Sequence, residues 1–312
     1  MSKRNYPLLI LRGCAMGAAD VVPGVSGGTI AFITGIYEEL IESIKAVDLQ
    51  AIKLLLKFKL AEFWKKINGN FLISVIAGIG ISIFSLAKLM TWLLENHPIY
   101  IWSFFFGLII ASSLLVSKEI KKWNIFTVIS LVTGAIIAYC ITVMTPAETP
   151  NDWWFIIFSG AIAICAMILP GISGAFILLL MGKYTYILEA VSAFNIGVLL
   201  LFAIGAIGGI VSFSHLLSWL LKHHPTTSVS LLTGFMVGSL NKVWPWKETL
   251  QTYTDSHGVE KALVESNISP AHFSELTGND PLLWQAILMC IAGFLLIWGI
   301  EALGRKMNAK QA

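Results

Sequence analysis

The chain has 312 residues, of which 56% are hydrophobic and only 12% charged, where a soluble domain carries about 25% charge. With a mean hydropathy of +0.78, 18 Phe and 11 Trp, this excludes an ordinary soluble enzyme and fits several spans of about 20 apolar residues each. The net charge of +3 is too small to argue for a nucleic-acid partner, so the positions of the lysines and arginines matter more than their sum.

At the N-terminus, Ser2-Lys3-Arg4 followed by Pro7 to Leu11 imitates a signal peptide, and Leu11-Arg12-Gly13-Cys14 imitates a lipoprotein cleavage box. Arg12 inside the apolar stretch speaks against both, so the segment reads as part of the mature chain. Pro7 to Ile44 is apolar but broken by Pro23-Gly24. A helix cannot run straight through such a pair. Lys45 to Lys66 alternates lysines with Val47, Ile52, Leu55, Leu56, Phe58, Phe63 and Trp64, which predicts a basic helix lying on the cytoplasmic leaflet. Unbroken runs of span length follow at Asn70 to Leu94, Pro98 to Val116 and Asn124 to Met144. Trp153 to Val191 repeats the broken pattern at Pro170-Gly171, and further spans are expected at Phe194 to Leu221, Ser228 to Leu240, a short one, and Pro281 to Ala302. Trp246 to Asp280 is polar enough to leave the membrane, with Ser269 before Pro270 as a helix start. The four cysteines stand singly in apolar stretches, which supports neither a disulfide framework nor a metal site, and no cofactor is implied.

Placing the loops by charge gives one self-consistent topology. Sixteen of the 21 lysines and arginines fall on one side, while the opposite loops hold Lys242, Lys247 and Lys261 among many carboxylates, the asymmetry of the positive-inside rule. Both chain ends are then cytoplasmic. Each broken region must start and finish on the same side, so both read as re-entrant hairpins entering from opposite faces. Irregular backbone at that depth is tolerated only where protein or water surrounds it.

A shift of 147 lays Val21–Ile44 over Ile168–Val191 with eight identities in 24 positions, among them Pro23/Pro170, Gly24/Gly171, Ser26/Ser173 and Gly27/Gly174. A shift of 127 lays Trp92–Ser112 over Trp219–Ser239 with eight in 21, including His97-Pro98 over His224-Pro225. Shared apolar composition would not align Pro, His and Gly. The sequence therefore predicts an all-α integral membrane protein with six transmembrane helices plus two opposed re-entrant helical hairpins in an inverted-topology repeat. The first repeat covers 1–144, with hairpin 7–44, basic helix 45–66 and three spans. The second covers 145–312, with hairpin 153–191, three spans and the outer loop 246–280. Such repeats are the build of secondary transporters working by alternating access.

Each hairpin tip turns through small residues into a new half-helix. Unpaired N–H groups and close backbone approach at such a turn suit an anion, which makes Ser26, Gly27, Gly28, Thr29, Ser173 and Gly174 candidates for binding a phosphate or carboxylate. The competing reading is a tight turn, with glycines for helix packing and the serines as caps. Asp20, three residues before Pro23, lies deep in the bilayer and is a candidate for a coupling proton or cation, or for capping the loop. Arg12 falls near the cytoplasmic mouth, where it either receives a lipid phosphate or snorkels to the interface. Lys183 and Glu189 lie well beyond the second tip and read as solvated helix ends.

Arg12 to Thr29, read as Arg12-Gly13-Cys14-Ala15-Met16-Gly17-Ala18-Ala19-Asp20-Val21-Val22-Pro23-Gly24-Val25-Ser26-Gly27-Gly28-Thr29, and its echo Leu169-Pro170-Gly171-Ile172-Ser173-Gly174 closely resemble the DUF368 family of bacterial polyprenyl-phosphate transporters, the undecaprenyl phosphate translocases. The resemblance implies a lipid flippase of the bacterial inner membrane, with undecaprenyl phosphate as substrate. It would return the lipid from the outer to the inner leaflet after a cell-envelope sugar unit has been delivered. Bilayer lipids are the other expected partners, and a homo-oligomer is left open. An integral polyprenyl pyrophosphate phosphatase also has paired re-entrant hairpins with a Pro-Gly-x-Ser loop, yet its loop needs Arg after the Ser, where this chain has Gly27 and Gly174. A secondary transporter of a small soluble anion is the third reading, distinguished by a site closed to lipid.

Overall fold

The computed structural model describes residues 5–20, 26–120, 122–146, 149–254 and 260–309. The Pro23-Gly24 break lies outside the described residues. Fifteen helices and one two-stranded sheet are seen among them.

The first broken region folds into α1 (Tyr6–Asp20), α2 (Gly27–Ile33) and α3 (Tyr37–Lys45), and the second into α9 (Trp153–Ile168), α10 (Gly174–Leu180) and α11 (Tyr184–Ser192). Corresponding elements share their local chemistry. Ser26 and Ser173 are the N-caps of α2 and α10, and each accepts a backbone N–H from the first turn. Gly35 and Gly182, at φ +70° and +61°, turn the chain between the short helices, a conformation that L side chains avoid. The chain is bent by 111° between α10 and α11.

The expected spans coincide with α6 (Gly69–Asn96), α7 (Pro98–Ser117), α8 (Ile125–Val143), α12 (Ile196–His223), α13 (Pro225–Ser239) and α15 (Leu283–Ala309). His97 and His224 adopt nearly the same backbone conformation, and each is followed by Pro at the first helical position, where the missing N–H costs nothing. Asn124 and Thr127 close a capping box at the start of α8. Among the described residues, α7, α8 and α12 are long and apolar enough to cross a membrane, and two bent pairs raise the number to five.

Glycines set the packing by letting backbones touch. A Cβ on Gly13 or Gly17 of α1 would lie 2.3 or 2.7 Å from a carbonyl oxygen of α6. Gly205 and Gly209 of α12 lie in the same way against α9, Gly107 and Gly293 join α7 to α15, and Gly134 and Gly234 join α8 to α13. Small residues at such interfaces replace the hydrophobic drive that is absent between helices in lipid. The residue pairings run in parallel register: Gly13 meets Val75 and Gly17 meets Ile79, while Gly205 meets Ile157 and Gly209 meets Ala161. So α1 starts at the end of the molecule where α6 starts, and α9 starts at the end where α12 starts. α6 and α12 are each 28 residues long, about 42 Å at 1.5 Å per residue; Asn68 before α6 and Ser218 near the end of α12 both bond residues of α3. Glu42 of α3 meets Lys222 near the end of α12, 3.1 Å apart, and Lys183 before α11 meets Thr149 and Asn151 before α9.

Exposed tryptophans stand at two levels. Trp92, Trp153, Trp154 and Trp284 flank one end of the helices, and Trp64, Trp123, Trp219 and Trp298 the other. Between them the helices present Ile73, Ile76, Ile129, Ile136, Leu200, Ile204 and Leu288 outward, all exposed. An apolar belt between aromatic girdles is the surface of a protein solvated by lipid. The chain is a multi-pass membrane protein.

Three expectations need correction. Lys45 to Lys66 is not one helix: α4 (Leu49–Leu56) and α5 (Leu60–Lys66) are separated by Phe58 at φ +54°, and Asp48 ties them by capping Ala51 N–H and pairing with Lys66 at 2.9 Å. The fold is not all-α either. Residues 246–280 contain an antiparallel hairpin, β1 (Lys247–Thr254) with β2 (Glu260–Asn267), before α14 (Pro270–Thr277). Thr249, Thr252, Tyr253, Thr254 and Val264 suit a strand, and this polar segment has water on one face. Ser269 does cap α14 through His272 N–H. Lys183, expected in solvent, is 1% exposed. Its ammonium donates to Thr149 O and Asn151 Oδ1 at 2.8 and 2.7 Å, because the turn at Gly182 aims it under the chain entering α9.

Candidate functional site

The elements after α1 interlock with the end of α9. Ser26 stands at the centre of the seam. Its Oγ accepts Gly28 N–H at 3.0 Å and lies 3.0 and 3.1 Å from the carbonyl oxygens of Met167 and Leu169, to which it donates. Thr29 Oγ1 accepts Gly171 N–H at 2.9 Å. From the start of α3, Tyr37 donates its hydroxyl to Ile168 O at 3.1 Å. Ser26 and Thr29 are each 1% exposed, so the seam is closed to water.

The unwound backbone after α9 makes this possible. Leu169 leaves the helix with extended angles and Gly171 sits at φ +86°, which frees the carbonyls of residues 167–169 and turns Gly171 N–H toward the first hairpin. Buried carbonyls without helical partners must be paired. The side chains of Ser26 and Tyr37 supply that pairing.

The glycines of the two tips serve different contacts. A Cβ on Gly28 would lie 2.4 Å from Ile168 O, across the seam, while one on Gly174 would lie 2.5 Å from Ala163 O in its own hairpin. Both therefore permit close helix packing. Gly27 differs, because its N–H donates to Asp20 Oδ1 at 2.7 Å and a Cβ there would lie 2.5 Å from Oδ2 of the same carboxylate. An acidic side chain of this protein thus occupies the position at the first turn of α2 where an external anion would bind.

The structure brings Asp20, Ser26, Gly27, Gly28 and Thr29 together against the end of α9. Ser173 caps α10 through Phe176 N–H, and Gly174 packs on α9, so this pair serves the second hairpin. Arg12 is not at the seam. It lies eight residues before Asp20 on α1, about 12 Å along the helix, half-buried and within range of the Glu39 charge on α3. Sequence reading missed Tyr37 and the acceptor carbonyls of Met167, Ile168 and Leu169. Tyr37 and Tyr184 are among the eight identities at the shift of 147, but main-chain acceptors carry no signal in residue identity. Among the described residues no cluster of three metal-ligating side chains occurs. Among the described residues the hydrogen-bond partners of Ser26 are main-chain groups, and none is a His, Lys or Arg of the kind that activates a nucleophile.

A family model described as VCA0040-like, undecaprenyl phosphate translocase-like, matches residues 16–261. A protein of Vibrio cholerae serotype O1 named polyprenyl-phosphate transporter is 48% identical over 302 residues, 97% of this chain and 98% of that one. One of Staphylococcus aureus with the same name is 34% identical over 254 residues, 76% of this chain and 85% of that one. No solved structure matches the chain.

Proposed function

The chain belongs to the VCA0040-like, undecaprenyl phosphate translocase-like family, and from that membership we propose that it carries undecaprenyl phosphate from the outer to the inner leaflet of the bacterial inner membrane. The observation that supports this reading is the closed seam in which Ser26, Thr29 and Tyr37 bond the unwound end of α9; in the proposed topology the two broken regions are hairpins that enter from opposite ends. In this topology the end with α4 and α5 is cytoplasmic, both chain termini lie there, and the β-hairpin is outside. The two halves form an inverted repeat, a reading supported by their matching caps, turns and helix lengths. Opening the seam toward one side at a time gives alternating access.

Energetics make the seam a workable gate. Ser26, Thr29 and Tyr37 cross it with neutral hydrogen bonds worth about 0.5–1.5 kcal/mol each. Their sum, about 1.5–4.5 kcal/mol, is comparable with what a phosphate gains from two charge-assisted bonds at about 1.5–3 kcal/mol each. A head group that meets more donors in the open state therefore shifts the equilibrium toward it, as differential affinity requires. The prenyl tail never leaves lipid, so only the charged end needs a polar path.

In this mechanism the phosphate replaces Asp20 at Gly27 N–H and takes donors from Ser26, Gly28 and Thr29, with Ser173 and Gly174 as the counterpart on the second hairpin. Arg12 meets it at the cytoplasmic mouth. Asp20, freed from Gly27, is the group for a coupling proton or cation, because a second anion beside the phosphate favours its protonation. Incubation of the purified protein with undecaprenyl pyrophosphate should release no phosphate. In proteoliposomes, Ser26→Ala should slow movement of undecaprenyl phosphate, whereas phosphate release that is lost in this variant would establish a phosphatase instead.

A further inference from the structure

A second charged cluster stands outside the seam, between the β-hairpin, α7 and α10. Lys242 Nζ and Lys247 Nζ both reach Oε2 of Glu265, at 3.0 and 3.3 Å. The Lys242 ammonium lies 4.6 Å from the ring centre of Phe176 on the first turn of α10, and the Lys247 ammonium 4.2 Å from that of Trp102 on α7. The three side chains are 16%, 8% and 24% exposed. Two cations thus share one carboxylate oxygen where little water enters, leaving one positive charge in excess among the described residues.

Burial makes that excess costly. It pushes Lys247 down to about 8, with Lys242 adding to the fall and Glu265 opposing it. Burial would raise Glu265, yet the two lysines hold it below the usual carboxylate range. The opposite end of the molecule offers a control. There Lys45 and Lys222 also share one carboxylate oxygen, that of Glu42, at 4.0 and 3.1 Å. Lys222 is 58% and Glu42 42% exposed, so water and salt neutralise that group and it needs no ligand. The same charge count withdrawn from water calls for an anion.

An apolar groove adjoins the cluster. It encloses about 520 Å³ between α8 and α13, lined by Leu131, Ala135 and Val237 and ending at Asn241, Trp244 and Asn267. Asn241 immediately precedes Lys242, and Asn267 pairs with Lys247 across the β-hairpin. A cationic cluster near an exposed apolar groove matches an amphiphile with an anionic head and a branched hydrocarbon tail.

We propose that Lys242 and Lys247 receive the phosphomonoester of a polyprenyl phosphate on the outer face, before it reaches the hairpin tips, while the groove takes the first isoprene units of its tail. This assignment rests on the transport reading above and names the outer loading site of that path. Glu265 holds the two ammonium groups in the unliganded protein and competes with the phosphate for them. Phe176 lies three residues after Ser173, so a head group released from Lys242 has the second hairpin tip as its next neighbour.

The test is binding to the purified full chain in lipid nanodiscs, with undecaprenyl phosphate, undecaprenol and inorganic phosphate as probes. Lys242→Gln and Lys247→Gln should each weaken undecaprenyl phosphate binding about 10-fold or more, the value of one charge-assisted hydrogen bond, and leave undecaprenol unchanged. Val237→Trp, which fills the groove, should weaken both lipids. Glu265→Gln should tighten undecaprenyl phosphate, and this variant keeps the proposal testable if a lysine variant fails to fold. Undiminished binding in the lysine variants, or no gain in Glu265→Gln, overturns the loading site and leaves the transport reading standing. Equal wild-type affinity for undecaprenyl phosphate and undecaprenol contradicts both. Inorganic phosphate bound as tightly as the lipid makes the cluster a soluble-anion site and overturns the lipid assignment.

Discussion

Asp20 and Gly28 show how a single residue in the seam divides structure from function. Gly28 faces Ile168 O at a distance that admits no side chain, so Gly28→Ala should force the hairpins apart and lower the thermal stability of the purified protein. Asp20 accepts Gly27 N–H. Asp20→Asn keeps an acceptor there, so it should leave melting nearly unchanged while slowing transport about 10-fold or more, the scale of one charge-assisted interaction. Equal losses of melting temperature in the two variants would mean that Asp20 only caps the turn. Lys247 supplies the pH dependence. A phosphomonoester carries its second charge above about pH 6, and Lys247 loses its own above about 8, so binding at the outer cluster should be strongest between these values and fall at higher pH. Stability moves the other way. Between about 8 and 10.4 the unfolded chain binds the proton that folded Lys247 has lost, so unliganded stability rises with pH across that window. Titrating both by calorimetry should give opposite slopes, and parallel slopes would show that Lys247 does not titrate there. Ser26, Gly27 and Asp20 were legible as candidates because the chain repeats its Pro-Gly-x-Ser-Gly and because a lone carboxylate in an apolar run is costly. Lys247 was legible only as an outer lysine, since its burial depends on Trp102 and Glu265 from elsewhere in the chain.

Helices were more legible than the elements between them. Runs such as Asn124 to Met144 and Phe194 to Leu221 predicted α8 and α12 to within two residues, because apolar length is itself the signal in lipid. The break at Phe58 and the β-hairpin were missed. A left-handed backbone angle at Phe has no composition signal, and β1 and β2 alternate too weakly to show a strand period. Packing partners were also invisible: α7 sits against α15 and α8 against α13, through glycines on separate halves of the sequence. Replacing Gly234 by Val, whose Cβ would lie only 2.1 Å from Leu131 O, should separate α13 from α8 and reduce the yield of folded protein more than the same change at Gly80, which faces open space. Single-cysteine labelling in a cysteine-free background tests the course of the second hairpin. Exposed Asp152 and Ala193, one at each end of α9 to α11, should both react with an impermeant reagent from the outer face, together with Thr249 of β1, while Gln50 of α4 should react only from inside. Labelling of Asp152 and Ala193 from opposite faces would make that segment a full crossing.

At the scale of the whole molecule, the two broken regions meet in a closed seam, and a buried positive cluster stands apart from it, beside the β-hairpin. The family, the membrane setting and the broken helices could be read from the sequence because each rests on residue types at fixed spacing. That Ser26 and Thr29 would be spent on the opposite hairpin could not, since the acceptor and donor are main-chain groups about 140 residues away. The account stands on the seam being the gate. Its most direct test is the rate at which undecaprenyl phosphate in the inner leaflet of sealed proteoliposomes becomes accessible to a membrane-impermeant phosphatase added outside. Wild-type protein should make the whole pool accessible much faster than empty liposomes, and Asp20→Asn and Thr29→Val, folded and reconstituted to the same level, should each slow this about 10-fold or more. Wild-type rates in both variants would place the path of the head group elsewhere in the protein and contradict the account.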